Sequence, residues 1–162
     1  MKISKQTIRE VLVYVLPLLL WMAFIFPVWN PALGSSSIYE TFASVFRWLL
    51  PHASQHALDL SYIVVRKSLH YVEYGLLTFL FYRAFRDGRR PFWSGRTGLQ
   101  AGAAAAAYAF IDEYLQSFVP NRFGSSFDWT VDIAGILSAV ALIAWAGRRR
   151  KELPESRNGC RP

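Results

Sequence analysis

Cysteine is nearly absent. The one residue, Cys160, lies in a polar tail, so no intrachain disulfide and no metal site built from several cysteines can form. Charge is also scarce. Asp, Glu, Lys and Arg make up 18% of the chain, where soluble domains carry roughly 25%. There is no Gly-x-Ser-x-Gly nucleophile elbow and no phosphate-cradling glycine loop, so two common signatures of acyl and phosphoryl transfer are missing. What the sequence has instead is apolar mass in long blocks: 53% hydrophobic and 16% aromatic residues over 162 positions, the length of one domain. The net charge of +7 does not form a separate basic domain. Its residues flank the apolar blocks, as membrane orientation requires, which argues against nucleic-acid binding.

Crossing the hydrocarbon core takes about 20 residues of helix. Four stretches fit that length: residues 11–29, 60–85, 99–118 and 128–146. The first is uncharged and follows Lys2, Lys5 and Arg9, like the start of a signal peptide. No small-x-small cleavage site follows it, so it reads as an uncleaved span with a kink point at Pro17. The third holds an alanine run at 103–107, whose small side chains let helix backbones approach closely, and predicts a central, tightly packed helix. Between the first two spans, Phe42, Val45, Phe46, Leu49 and Leu50 recur at helical spacing before Pro51. That pattern predicts an amphipathic helix in the outer interface, and packing on the bundle would produce the same spacing. Residues 119–127, with Pro120 and Gly124, read as a tight turn in which Ser126 can cap the fourth helix. The expected fold is therefore all-α: a four-helix transmembrane bundle with an additional outer interfacial helix. Residues 1–147 form its single domain, and 148–162 a basic, disordered cytoplasmic tail.

With the N-terminus inside, 14 of the 18 Lys and Arg residues fall on the cytoplasmic side. Only Arg47, Arg66, Lys67 and Arg122 lie outside. This positive-inside bias predicts an inner or plasma membrane protein with both termini cytoplasmic. The tryptophans Trp21, Trp29, Trp48, Trp93, Trp129 and Trp145 fall mostly near span ends, as an interfacial belt does. His52 and His56 lie in the outer connection, where solvation is the expected state.

Ionisable residues inside a span cost several kcal/mol and usually face protein or water. Here they form three stripes. Arg66, His70 and Glu73 share one face of the second span with Leu77. Asp112 and Glu113 lie one turn before Gln116 on the third, and Asp128, Asp132 and Gly135 line one face of the fourth, where Gly135 admits a close neighbour. In the predicted topology all three stripes, with Lys67 and the turn residue Arg122, lie in the outer half of the membrane. Charges of both signs in so small a bundle are best explained by mutual pairing around one outward-facing polar pocket.

These are also the residues in which the chain resembles the VanZ-like membrane proteins. Arg66-Lys67-x-x-His70-x-x-Glu73-Tyr74-x-x-Leu77 is similar to the family's first motif. Asp112-Glu113-x-x-Gln116-x-Phe118-x-Pro120-x-Arg122, then Ser126-x-Asp128 and Asp132-x-x-Gly135, is similar to its second. Asp132 stands where asparagine is common in the family, and Ser138 where glycine is frequent. The resemblance implies a fold and a cell-envelope context. The family's name-giving member is associated with low-level teicoplanin resistance, and no reaction is established for the family.

Four readings of the polar residues follow. In the first, Asp112, Arg122 and Asp128 are ion-paired and only pin the turn between the last two helices, making the protein a non-catalytic scaffold. In the second, the pocket binds or modifies an anionic lipid-linked envelope precursor. Arg66, Lys67 and Arg122 then hold a phosphate or carboxylate, and Glu73, Gln116, Asp128 and Asp132 complete the lining. Asp112 or Glu113 serves as general acid or base, and His70 as proton shuttle. A carboxylate-bridged metal site is disfavoured by the single histidine in the cluster. A proton or solute pathway is disfavoured because no charges cross the inner half. Membrane lipids are the implied partners, and no cofactor is implied.

Overall fold

A computed structural model describes residues 5–25, 35–86, 93–116 and 126–152, and every regular element among them is helical. The first rod combines α1 (Lys5–Glu10), a five-residue π-helical stretch (Val11–Val15) and α2 (Leu16–Ile25). After it come α3 (Ser35–Leu49), α4 (Gln55–Arg86), α5 (Gly95–Gln116) and α6 (Ser126–Glu152).

The π-helical stretch lies just before Pro17, where the sequence offers a kink point. The Leu16 amide bonds back to the Val11 carbonyl, five residues earlier. Pro17 has no N–H, so it cannot serve the carbonyl of Val13. The Arg83 guanidinium, at 3.4 Å, donates to that oxygen instead. Arg83 also lies over the rings of Tyr14 and Phe79, at 5.8 and 5.9 Å. The other end of the rod is held as well. The Trp21 indole donates to the Glu73 carbonyl at 3.2 Å. The Tyr108 hydroxyl donates at 2.8 Å to the Met22 carbonyl, near the last described residue of α2.

The bundle centres on α4, whose most extensive contacts are with α6 and then α5. Tyr74, Leu77 and Thr78 on α4 are fully buried. On α5 the core edge is Ala101, Ala105 and Ala109, all fully buried at a spacing of four, while Ala103 and Ala107 on the other edge are exposed. The alanine run thus packs tightly along one side only. Helices α4 and α6 run parallel, since His70 meets Asp132 and Gly75 meets Gly135. Helix α5 is antiparallel to both, with Tyr74 opposite Asp112 and Tyr82 sharing a cluster with Ala101.

Among the described residues two helices are long and apolar enough to cross a membrane by length and composition: Ile8–Ile25 and Trp129–Arg149. Helices α4 and α5 have the length but not the composition. Arg66, Lys67, His70 and Glu73 interrupt α4, while α5 combines Asp112, Glu113 and Gln116 with weakly apolar alanine. Helical boundaries differ from the expected ones chiefly at polar ends. Helix α4 begins at Gln55, five residues before its apolar stretch, because the Ser54 hydroxyl accepts from the Ala57 amide at 3.2 Å and caps it. Helix α6 continues through Arg148 and Arg149 to Glu152, so the start of the expected disordered tail is helical instead. Arginines suit a helix C-terminus, and Arg149 stacks at 4.3 Å over Trp145 one turn back. Residues 153–162 and the expected turn at 119–125 lie outside the described residues.

Helix α3 both packs and presents apolar surface. The Tyr39 and Phe42 rings meet Tyr62 of α4, with centroids 5.0 and 5.4 Å apart. Ile38, Val45, Trp48 and Leu49 stay exposed on an adjoining sector. A polar latch holds the helix in place. The Tyr39 hydroxyl donates to Asp59, Gln55 bonds both groups, and Arg47 donates to Gln55 at 2.7 Å. His52 and His56 are exposed.

Candidate functional site

The polar stripes meet midway along α4, beside the C-terminal turns of α5 and the N-terminal turns of α6. His70 and Asp132 come together across the parallel pair. The His70 Nδ1 lies 3.3 Å from Asp132 Oδ1, and the Asp132 side chain is fully buried. That distance is an ion-pair contact but lacks hydrogen-bond alignment. Neither Asp132 oxygen has a hydrogen-bond partner among the described residues. More than nine in ten buried polar groups are satisfied, so a fully buried carboxyl of this kind needs an explanation beyond packing.

On the facing side of α4, the Tyr74 hydroxyl donates to Asp112 Oδ2 at 2.9 Å, both side chains being buried. Tyr74 lies one turn after His70, and their rings stack with centroids 6.4 Å apart. The tyrosine thus joins the α5 carboxyl to the α4–α6 pair. Tyr74 belongs to the first motif, but its residue type alone assigns it no role in the site. Its four-residue spacing from His70 was the available signal.

Arg66, Lys67, Glu73 and Glu113 are half-buried around these two pairs, and each is engaged in further interactions. The Lys67 ammonium is within electrostatic reach of Arg66, Glu113 and Asp132. Every predicted site residue whose side chain is described therefore lies at or beside this junction. The side chains of Gln116 and Asp128, and all of Arg122, fall outside the described residues, as does the Ser126 side chain expected to cap α6. Among the described residues no three of His, Cys, Asp and Glu converge as a metal-binding group.

What makes the junction possible is glycine. A Cβ on Gly135 would collide with the Tyr71 carbonyl oxygen and lie 3.1 and 3.2 Å from that residue's carbonyl carbon and Cα. Helix α6 therefore rests directly on the α4 backbone, one turn from Asp132. Gly75 completes the crossing, its hypothetical Cβ falling 3.4 Å from the Gly135 oxygen.

A family model described as VanZ/LLP1 matches residues 12–147, which include the first rod from Leu12 onward and all of the junction. The chain belongs to the VanZ/LLP1 family. Neither curated proteins nor solved structures return a match. Membership of the VanZ/LLP1 family and the two apolar helices together point to a membrane location. Of the tryptophans expected in an interfacial belt, Trp48, Trp129 and Trp145 are exposed. Trp21 and Trp93 serve packing instead, the first bonded to α4 and the second stacked on Tyr82 at 5.8 Å. Trp29 lies outside the described residues.

Proposed function

We propose that this VanZ/LLP1 protein crosses the inner or plasma membrane four times, with both termini cytoplasmic. Its junction of α4, α5 and α6 is an outward-facing site that binds or modifies an anionic lipid-linked envelope species. The process it serves is cell-envelope homeostasis or glycopeptide tolerance. The four-span arrangement is supported by length. At 1.5 Å per residue, α4 and α5 extend about 48 and 33 Å against a hydrocarbon core of about 30 Å. The parallel α4–α6 pair, antiparallel to α5 and the first rod, suits four successive passes. The exposed apolar sector of α3 suits a helix lying in the outer interface, with Trp48 among the lipid headgroups.

The observation that carries the binding reading is Asp132, fully buried with no hydrogen bond to either oxygen among the described residues. A purely structural clamp has its polar atoms satisfied, because an unsatisfied one costs about 1–3 kcal/mol. A site that accepts donors from a ligand, or passes a proton through His70, has reason to keep them available. In this reading Arg66, Lys67 and Arg122 hold the anion. Glu73, Gln116, Asp128 and Asp132 line the site, and Asp112 or Glu113 exchanges a proton with His70.

One observation favours the rival, a non-catalytic scaffold: Tyr74 and Asp112 tie α4 to α5 with good geometry. The experiment is native mass spectrometry of protein released gently from its own membrane, comparing wild type with Arg122→Ala and Glu113→Gln. An anionic lipid or lipid-linked precursor on the wild type, lost from folded Arg122→Ala, supports the site. Loss that tracks falling stability across the series, or no retained species at all, leaves the scaffold.

A further inference from the structure

Along the seam of α4 and α6 lies an apolar cleft of about 260 Å³. Tyr71, Gly75 and Phe79 form one wall, and Ser138, Ala139 and Leu142 the other; no residue of α5 lines it. The cleft follows the helices for two turns, and at its rim Tyr71, Phe79 and Leu142 are exposed. Apart from the Ser138 hydroxyl and the Tyr71 phenol, its lining side chains carry no polar atom.

We infer that this cleft seats one alkyl chain of the lipid whose head occupies the polar junction. The inference rests on the binding reading above and extends it. Volume limits the occupant, since whole small ligands fill about 300–1,000 Å³ and this cleft accepts only a segment of one chain. Polarity sets the direction. Lys67, His70 and Asp132 mark one end of the seam, while Phe79 and Leu142 mark the other. Both helices run from the polar end to the apolar end, so the seam has the head-to-tail profile of an amphiphile. Length agrees. From His70 to Phe79 the helix rises about 14 Å, against about 15 Å for one leaflet of hydrocarbon. The depth of the cleft comes from small residues at its base. Gly75 and Ala139 leave room that larger side chains would fill, and the Gly75–Gly135 crossing draws the two helices together beneath it.

Because membrane lipid is as apolar as the cleft, the chain is held by close packing and not by escape from water. Filling the cleft should therefore release it. Wild type, Ala139→Phe and Lys67→Ala are equilibrated with vesicles of equal phosphatidylglycerol and phosphatidylcholine, both with 16-carbon chains, then released in detergent for native mass spectrometry. Wild type retains one phosphatidylglycerol. Ala139→Phe, with helicity and melting like wild type, retains at least tenfold less of either lipid. Lys67→Ala retains lipid without preferring the anionic one. Equal retention by Ala139→Phe and wild type overturns the cleft proposal. If Ala139→Phe loses lipid while Lys67→Ala keeps its full anionic preference, the cleft stands and the anion-binding reading falls.

A second measurement does not depend on any variant folding. Phosphatidylglycerol carrying a mid-chain diazirine is photolysed with the wild-type protein. Labelling concentrated on Tyr71, Phe79 and Leu142, several-fold above Leu137 and Phe110, which match Leu142 in exposure and exceed Tyr71 and Phe79, is the expected result. Uniform labelling indicates bulk lipid, and cleft residues protected inside a cross-linked dimer indicate a second copy of the chain. Either result overturns the proposal.

Discussion

Gly135→Ala isolates the contact on which the junction depends. The added carbon would lie roughly 1 Å closer to the Tyr71 carbonyl oxygen than the 3.3–3.6 Å of a close carbon–oxygen contact. Backbone cannot rotate away as a side chain can, so α6 itself must move by about that distance. Overpacking of this kind costs about 1–3 kcal/mol. Alanine recovers about 1 kcal/mol through its higher helix propensity, leaving a net loss of about 1–2 kcal/mol when the clash is at the severe end. Gly102→Ala supplies the control. Its Cβ would meet Val140 Cγ2 at 3.5 Å and Ile136 Cγ2 at 3.8 Å, ordinary contacts, so the propensity gain of about 1 kcal/mol survives. The two variants should then differ by about 2–3 kcal/mol, or roughly 4–12 °C in melting temperature for a chain of this size. Asp132 lies one turn from Gly135, so the same shift would carry its carboxyl from 3.3 Å to beyond 4 Å from His70. Lipid retention should fall along with stability. The assay is thermal melting in detergent with lipid content read on the same samples. If Gly135→Ala melts at or above Gly102→Ala, the direct contact of α6 with the α4 backbone is wrong.

Tyr74→Phe removes the donor to Asp112 and should cost about 1–3 kcal/mol, because a buried carboxyl loses a partner while the ring volume is kept. A variant that melts with the wild type would refute that pairing. The α3 latch should open at high pH. The Tyr39 hydroxyl lies above its usual range, first because it donates to Asp59, then through burial and the same carboxylate's charge. Its contribution is complete below pH 10 and is lost as pH rises through the raised folded-state value. Protease susceptibility of the α3–α4 connection, compared between wild type and Tyr39→Phe, checks this. A wild-type connection no better protected than the variant's at neutral pH would count against the latch.

Much of this protein is determined locally and can be read without coordinates. Helical class follows from apolar blocks of spanning length and from the period of the polar stripes, both properties of single segments. The same period placed His70 and Asp132 on faces turned toward the bundle, and the lack of a side chain at Gly135 announced a close neighbour. Composition, however, acts on single residues and cannot say which residue will lie opposite. The partnership of His70 with Asp132, and of Tyr74 with Asp112, depends on how far α4, α5 and α6 slide and rotate against one another. Glycine at the α4–α6 crossing and one edge of alanines on α5 settle that register by excluding other approaches. Tyr74 therefore passed as an ordinary aromatic until packing gave it a carboxyl, and the cleft between α4 and α6 has no counterpart in either helix alone. Helix ends show the same division. Ser54 and the Arg149–Trp145 stack extend α4 and α6 beyond their apolar stretches, because capping groups and charge–ring contacts hold helix where hydropathy has already stopped.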